Sequence, residues 1–162
     1  RLPLVSSKFL YIYLDMAYKT KFKPQNSKKY VGNPTNIICR SLWERKVCKF
    51  LDENSNVLRW SSEEFSLPYM SPVDNRPHKY YPDFLAEIKG KDETIRTHLI
   101  EVKPYKQTKP PVKPKRKNKT YVLNEKTYAV NHAKWEAAKQ VCNQNDWQFT
   151  ILTENEIFKE NR

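Results

Sequence analysis

The run Leu99-Ile100-Glu101-Val102-Lys103 constrains this chain more than any other segment. It reads as a strand, and side chains alternate faces along a strand. Leu99, Glu101 and Lys103 therefore share one face, while Ile100 and Val102 take the other. A carboxylate and an ammonium are fixed side by side. Tyr81-Pro82-Asp83-Phe84 precedes this run and offers a second carboxylate, Asp83, from a neighbouring strand. Such a grouping can hold a hard divalent cation and a lysine against one phosphate.

Size and charge limit what can surround that strand. A chain of 162 residues is most simply one domain with a core of its own. Its 30 Lys+Arg against 18 Asp+Glu give a formal net charge of +12. That balance favours an anionic partner, nucleic acid first, although a basic chain can also bind membrane surfaces or scaffolds. Two glycines leave no Gly-rich phosphate loop. No apolar run approaches the roughly 20 residues of a spanning helix, so no membrane partner is expected. Cys39, Cys48 and Cys142 lack CxxC spacing and read as buried reduced thiols of a cytosolic product.

The pattern reads as α/β with a central mixed sheet flanked by helices. Residues 1–39 are read as an N-terminal extension and a basic arm, and 40–162 as the folded domain. Within the extension, Leu10–Leu14 is an apolar-aromatic run, and Met16-Ala17-Tyr18 resembles a start context. Ser41 to about Asp52 has helical spacing of Trp43, Val47, Phe50 and Leu51. Val57–Tyr69 is one or two strands around a turn near Ser61–Glu64. Lys79–Ile88 and Thr94–Lys103 are strands joined by a turn at Lys89-Gly90-Lys91-Asp92. Pro104–Lys119 holds four prolines and seven Lys/Arg with no acid, and reads as a stiff basic loop. Asn131 is expected to cap a helix reaching about Gln144. Trp147–Leu152 is a strand, and Thr153-x-x-Glu156 is a capping box opening a short helix.

Each candidate site residue has a plain structural reading beside the chemical one. Ser41-x-x-Glu44 is itself a capping box, yet Glu44 shares a helical stripe with Val47, Cys48 and Leu51 and can lean inward. Asp83 can be a turn aspartate, but its aromatic and apolar neighbours imply burial, which is costly for an unpaired acid. Glu101 and Lys103 can be a surface ion pair, worth little. The basic loop can be a solvated charged segment. Adjacent to the site, its Lys106, Lys109, Lys113, Lys115, Arg116, Lys117 and Lys119 are the candidates for DNA contact. Trp60, Trp135 and Trp147 are assigned to the core.

Together, Glu44, Asp83, Glu101 and Lys103 suit phosphodiester hydrolysis. Magnesium or manganese takes oxygen ligands and keeps waters, so Asp83 and Glu101 plus a phosphate oxygen suffice as ligands. Lys103 can orient water or stabilise charge on phosphate.

Ser41-Leu42-Trp43-Glu44, Tyr81-Pro82-Asp83-Phe84 and Ile100-Glu101-Val102-Lys103-Pro104 resemble the motifs of the PD-(D/E)xK nuclease superfamily, and within it the TnsA-like endonuclease group. The chain is similar to the head-completion nucleases of T-even-like contractile-tailed phages. Arg40-Ser41-x-Trp43-Glu44, Pro110-Pro111-Val112-Lys113-Pro114, Tyr128-x-Val130-Asn131 and Lys134-Trp135-x-Ala137-Ala138 carry that likeness. Residues 1–15 depart from it. The resemblance implies a restriction-endonuclease-like fold, with Glu44 as the helix acid, Asp83 and Glu101 as metal ligands and Lys103 as the catalytic lysine. It implies action on double-stranded DNA at the portal or neck of a filled head, with portal and neck proteins as partners. The location implied is the virion, and the host cytoplasm during assembly.

Three other readings stay open at this stage. One is a structural neck protein whose nuclease site is dispensable. Another is a transposition-type endonuclease subunit, which expects a second, partner-binding domain for which this chain is expected to be too short. The last is a non-enzymatic basic nucleic-acid binder. Homo-oligomerisation is plausible because one site cuts one strand.

Overall fold

The computed structural model describes residues 19–159; the Leu10–Leu14 run and Met16 lie outside them. In chain order the elements are Thr20–Phe22 (β1), Ile37–Cys39 (β2), the helix Leu42–Glu53 (α1), Val57–Ser62 (β3), Leu67–Met70 (β4), Pro77–Tyr80 (β5), Phe84–Lys89 (β6), Ile95–Val102 (β7), the helix Lys119–Asn145 (α2), Gln148–Leu152 (β8) and the short helix Glu154–Ile157 (α3). The main sheet has the order β3-β6-β7-β8. Its first two pairings are antiparallel and β7–β8 is parallel. The mixed sheet expected from the sequence is therefore present, with β8 returned alongside β7 by the α2 crossover.

A separate core covers each face of the sheet. Val47, Cys48 and Leu51 of α1 pack with Trp60, Phe84, Ala86, Ile100 and Val102. Trp135, Ala138 and Cys142 of α2 pack with Leu99, Tyr69 and Tyr80 on the other side. Strand alternation predicts this split of Leu99 from Ile100 and Val102. Because helices cover both faces, the last four residues of β7 are all buried, Glu101 among them. Tyr30 joins the α1 core and stacks edge-on against Trp60, with centroids 4.8 Å apart. All three cysteines are free and buried.

Local signals set several boundaries. Ser41 caps α1, its Oγ accepting from the Glu44 N–H at 3.1 Å. Thr153 and Glu156 form the expected capping box at α3.

Elsewhere the structure differs from the sequence reading. The strand expected over Lys79–Ile88 breaks at Tyr81-Pro82-Asp83 into β5 and β6, which belong to different sheets. Pro82 has no N–H for a ladder, so pairing stops there. Helix α2 starts after Asn118, whose Oδ1 accepts from the Tyr121 N–H at 2.8 Å, rather than at Asn131. Its first three turns lack an apolar stripe, which hid them from a periodicity reading. One 3₁₀ turn, Tyr105–Thr108, interrupts the basic loop.

Candidate active site

The β6–β7 register sets Phe84 opposite Ile100. Asp83 immediately precedes β6, which brings it beside the Glu101–Val102 end of β7. Asp83 Oδ2 accepts from the Val102 N–H at 2.7 Å, which ties the Pro82 bend to the end of β7. The Asp83 carbonyl accepts from the Glu63 N–H at 3.1 Å. Among the described residues, nothing donates to Asp83 Oδ1.

Glu101 is 5% exposed. The Tyr80 hydroxyl donates to its Oε2 at 2.6 Å, and Lys103 Nζ lies 3.1 Å from its Oε1. Tyr80 comes from β5, on the other side of the Pro82 break. The break therefore turns Tyr80 onto Glu101 while Asp83 approaches from β6. Lys103 is half-buried, and its own N–H donates to the Leu152 carbonyl at 3.0 Å, next to β8.

Glu44 reaches the same region from the first turn of α1. Its Oε2 accepts from the Arg40 N–H at 2.8 Å, so its capping role is realised in the loop before the helix. It also acts electrostatically on both Asp83 and Lys103. Asp83, Glu101 and Lys103 therefore gather at the end of β7, while Glu44 contributes to their electrostatics from the start of α1.

That grouping moves their proton affinities. Burial, then the Glu101 charge, pushes the Asp83 carboxyl well above the usual range, against the pull of Lys103. Burial raises Glu44 as well; the Arg40 N–H opposes this and Glu63 adds to it. Burial lowers Lys103, but Glu101 and Asp83 outweigh it, so the ammonium is held more firmly than usual. Burial and the Glu101 charge also raise Tyr80, which keeps it a hydrogen-bond donor.

The seven basic residues proposed from the loop, Lys106 to Lys119, are all exposed. Among the described residues none of them is in an ion pair. They follow directly from Lys103, with Lys109 over the Tyr105 ring. Trp60 and Trp135 are buried, and Trp147 packs at the edge of the α2 core.

Sequence reading missed two neighbours of the site. Tyr80 was hidden inside an apparently continuous strand. Glu63 has a left-handed backbone, φ 53°, and pairs with Arg40 at 3.0 Å. Nothing but a polar turn marked it, although a non-glycine residue in that conformation is uncommon.

The sequence matches the family described as TnsA-like endonuclease N terminal over residues 54–154, most of the described chain. The chain belongs to the TnsA-like endonuclease family. Its fold is restriction-endonuclease-like, and the matched segment of this TnsA-like domain holds Asp83, Glu101, Lys103 and the whole basic loop. The chain is also 38% identical over 144 residues to the head completion nuclease of Enterobacteria phage T4, a match covering 86% of this chain and 93% of that protein.

Asp83 and Glu101 are the residues of this TnsA-like site that would hold a divalent cation. Among the described residues no three His, Cys, Asp or Glu side chains are grouped to ligate one metal. Two carboxylates are enough for magnesium or manganese, which keep several waters. Among the described residues no donor reaches Asp83 Oδ1, which leaves that oxygen open to a ligand. The donor set is all oxygen, which suits a hard dication.

Proposed function

We propose that this chain is a metal-dependent DNA endonuclease of phage head completion, acting on double-stranded DNA at the portal or neck end of filled heads. The observation that carries this reading is the meeting of Asp83, Glu101 and Lys103 at the end of β7, in a chain of this family. In this reading residues 40–162 are the nuclease domain, and Tyr30, Ile37 and Cys39 of the preceding arm pack into its α1 core.

Asp83 and Glu101 would hold magnesium or manganese, which when bound lowers the pKa of a water and screens charge on the phosphodiester. The protein's own residues do the rest. Tyr80 fixes the Glu101 carboxylate in one rotamer by its hydroxyl. Lys103 stays charged beside Glu101 and stabilises negative charge growing on the phosphate oxygens. Glu44 holds its carboxylate at the mouth of the site from a capped helix end. Lys106 through Lys119 neutralise backbone phosphates next to the cleaved bond, a contact that positions without reading sequence.

The test is incubation of supercoiled plasmid with magnesium and wild type, Lys103→Ala or Asp83→Ala. Nicking or linearisation by wild type alone is the expected result. Cleavage by both variants would remove these residues from the site. An inert wild type that still binds DNA-filled heads would favour a purely structural neck protein.

A further inference from the structure

Helix α2 has 27 residues, about 40 Å at ~1.5 Å per residue. Its buried residues begin only at Trp135. Because α2 links the parallel strands β7 and β8, it runs antiparallel to both. Its last residue, Asn145, lies near Gln148, which pairs with His98. Moving back along the helix therefore leads toward Glu101 and then beyond it. Lys134 marks the level of the site: its Nζ is 5.7 Å from the centre of the Tyr80 ring, whose hydroxyl holds Glu101. The helix from Lys119 to Ala129, about 16 Å, precedes Val130, the first residue of α2 packed against the core, and overhangs the catalytic edge of the sheet.

One stripe of this overhang, continuous with the buried residues of α2, is chemically distinct. At about 100° per residue, the stripe Trp135, Ala138, Cys142 continues backward through Asn131, Tyr128, Asn124 and Tyr121. The stripe is apolar where it covers the sheet and becomes alternating amide and phenol where the sheet ends. Lys126 lies on the opposite face. From Pro104 to Trp135 the chain carries nine Lys/Arg and one carboxylate, Glu125. The Tyr121 hydroxyl donates to Glu125 at 2.8 Å.

We propose that the overhanging part of α2, with the turn that follows it, is one wall of the substrate channel. In it Asn124, Tyr128 and Asn131 hydrogen-bond the sugar–phosphate backbone of the duplex flanking the cleaved phosphodiester, and Lys134 anchors the end nearest the site. Charge decides for DNA over an acidic-patched protein face of similar reach: uncharged donors line the inner stripe, cations surround it, and one engaged carboxylate opposes them. Amide and phenol groups suit phosphate and sugar oxygens in any sequence. The inference rests on the nuclease reading and adds where the flanking duplex lies.

The test measures affinity for a labelled 30-bp duplex in EDTA, where cleavage does not occur, beside plasmid cleavage in magnesium. The Asn124→Ala, Tyr128→Ala, Asn131→Ala triple variant should lose about 10-fold or more in affinity, with turnover at saturating DNA within about 2-fold. Asn131→Ala alone should lose about 3-fold. Lys134→Met, which keeps the stem on Tyr69 and Tyr80, should also weaken binding. Lys126→Ala, on the outer face, should lose less than the triple variant. Circular dichroism checks that α2 persists, since none of these residues is in the buried core. Wild-type affinity in the triple variant, or an equal loss in Lys126→Ala, would overturn the wall. A wild type that neither binds nor cuts duplex would overturn the nuclease reading and the wall together.

Discussion

Glu87 and Glu101 sit on neighbouring strands of one sheet, and each has a basic side chain beside it. Arg59 grips Glu87 from β3 with two bonds of 2.6 and 2.9 Å, out in solvent. Lys103 meets Glu101 at 3.1 Å in a half-buried setting. By distance alone the surface pair is the better ion pair. Its acid is satisfied, and the Arg59 hydrogen bonds hold Glu87 below the usual carboxylate range. At the other end of the sheet, burial and crowding leave the carboxylates in excess, and Asp83 is driven the opposite way. In the proposed function, the pair with slack in its charge balance is the one that would take a cation and a phosphate. A closed ion pair has nothing left to offer a ligand.

Glu101→Gln should separate the two pairs most sharply. Plasmid cleavage in magnesium should fall by ~10²-fold or more, whereas Glu87→Gln should leave it within about 2-fold. Equal losses would make the comparison meaningless.

Metal linkage gives the next largest effect. At about ten times its dissociation constant, magnesium should raise the melting temperature of wild type by roughly 3–5 °C. Asp83→Asn should remove that rise, and Glu87→Gln should keep it, in thermal scans with and without EDTA.

The pH dependence of stability without metal is a smaller effect of definite sign. Asp83 binds its proton more tightly folded than unfolded. The stabilisation from its protonated form is present at low pH and is lost as pH rises from the ordinary carboxylate range through its raised folded value. Asp83→Asn should flatten that decline and stabilise the metal-free protein near neutral pH by on the order of 1 kcal/mol. Denaturant melts across pH in EDTA would show it. A variant less stable than wild type throughout would contradict the crowding argument.

Last, Arg59→Ala should shift the melting temperature by less than about 2 °C, because an exposed pair offsets little more than its own ordering.

Parts of the fold were legible because their causes are local. Ser41 and Glu44 at α1, and Thr153 and Glu156 at α3, are caps whose donors and acceptors lie within four residues. Alternation along Leu99–Val102 foretold which residues face which core. The start of α2 was not legible, because Lys119–Ala129 extends past the sheet and needs no apolar stripe. The break at Pro82 was not legible either, since the residues on both sides of it have strand character.

The sequence by itself determined the residue types and their spacing: two acids, a lysine and a basic proline loop, arranged on strands by alternation. The tertiary structure alone decided that Pro82 turns the chain so that Tyr80 meets Glu101 and Asp83 meets the Val102 N–H at the same end of β7. It also decided that both faces of β7 are covered, so that Glu101 is buried and its pair with Lys103 is half-buried and not a surface one. Burial depends on what packs against a strand, and here that comes from α1 and α2, far away in the chain.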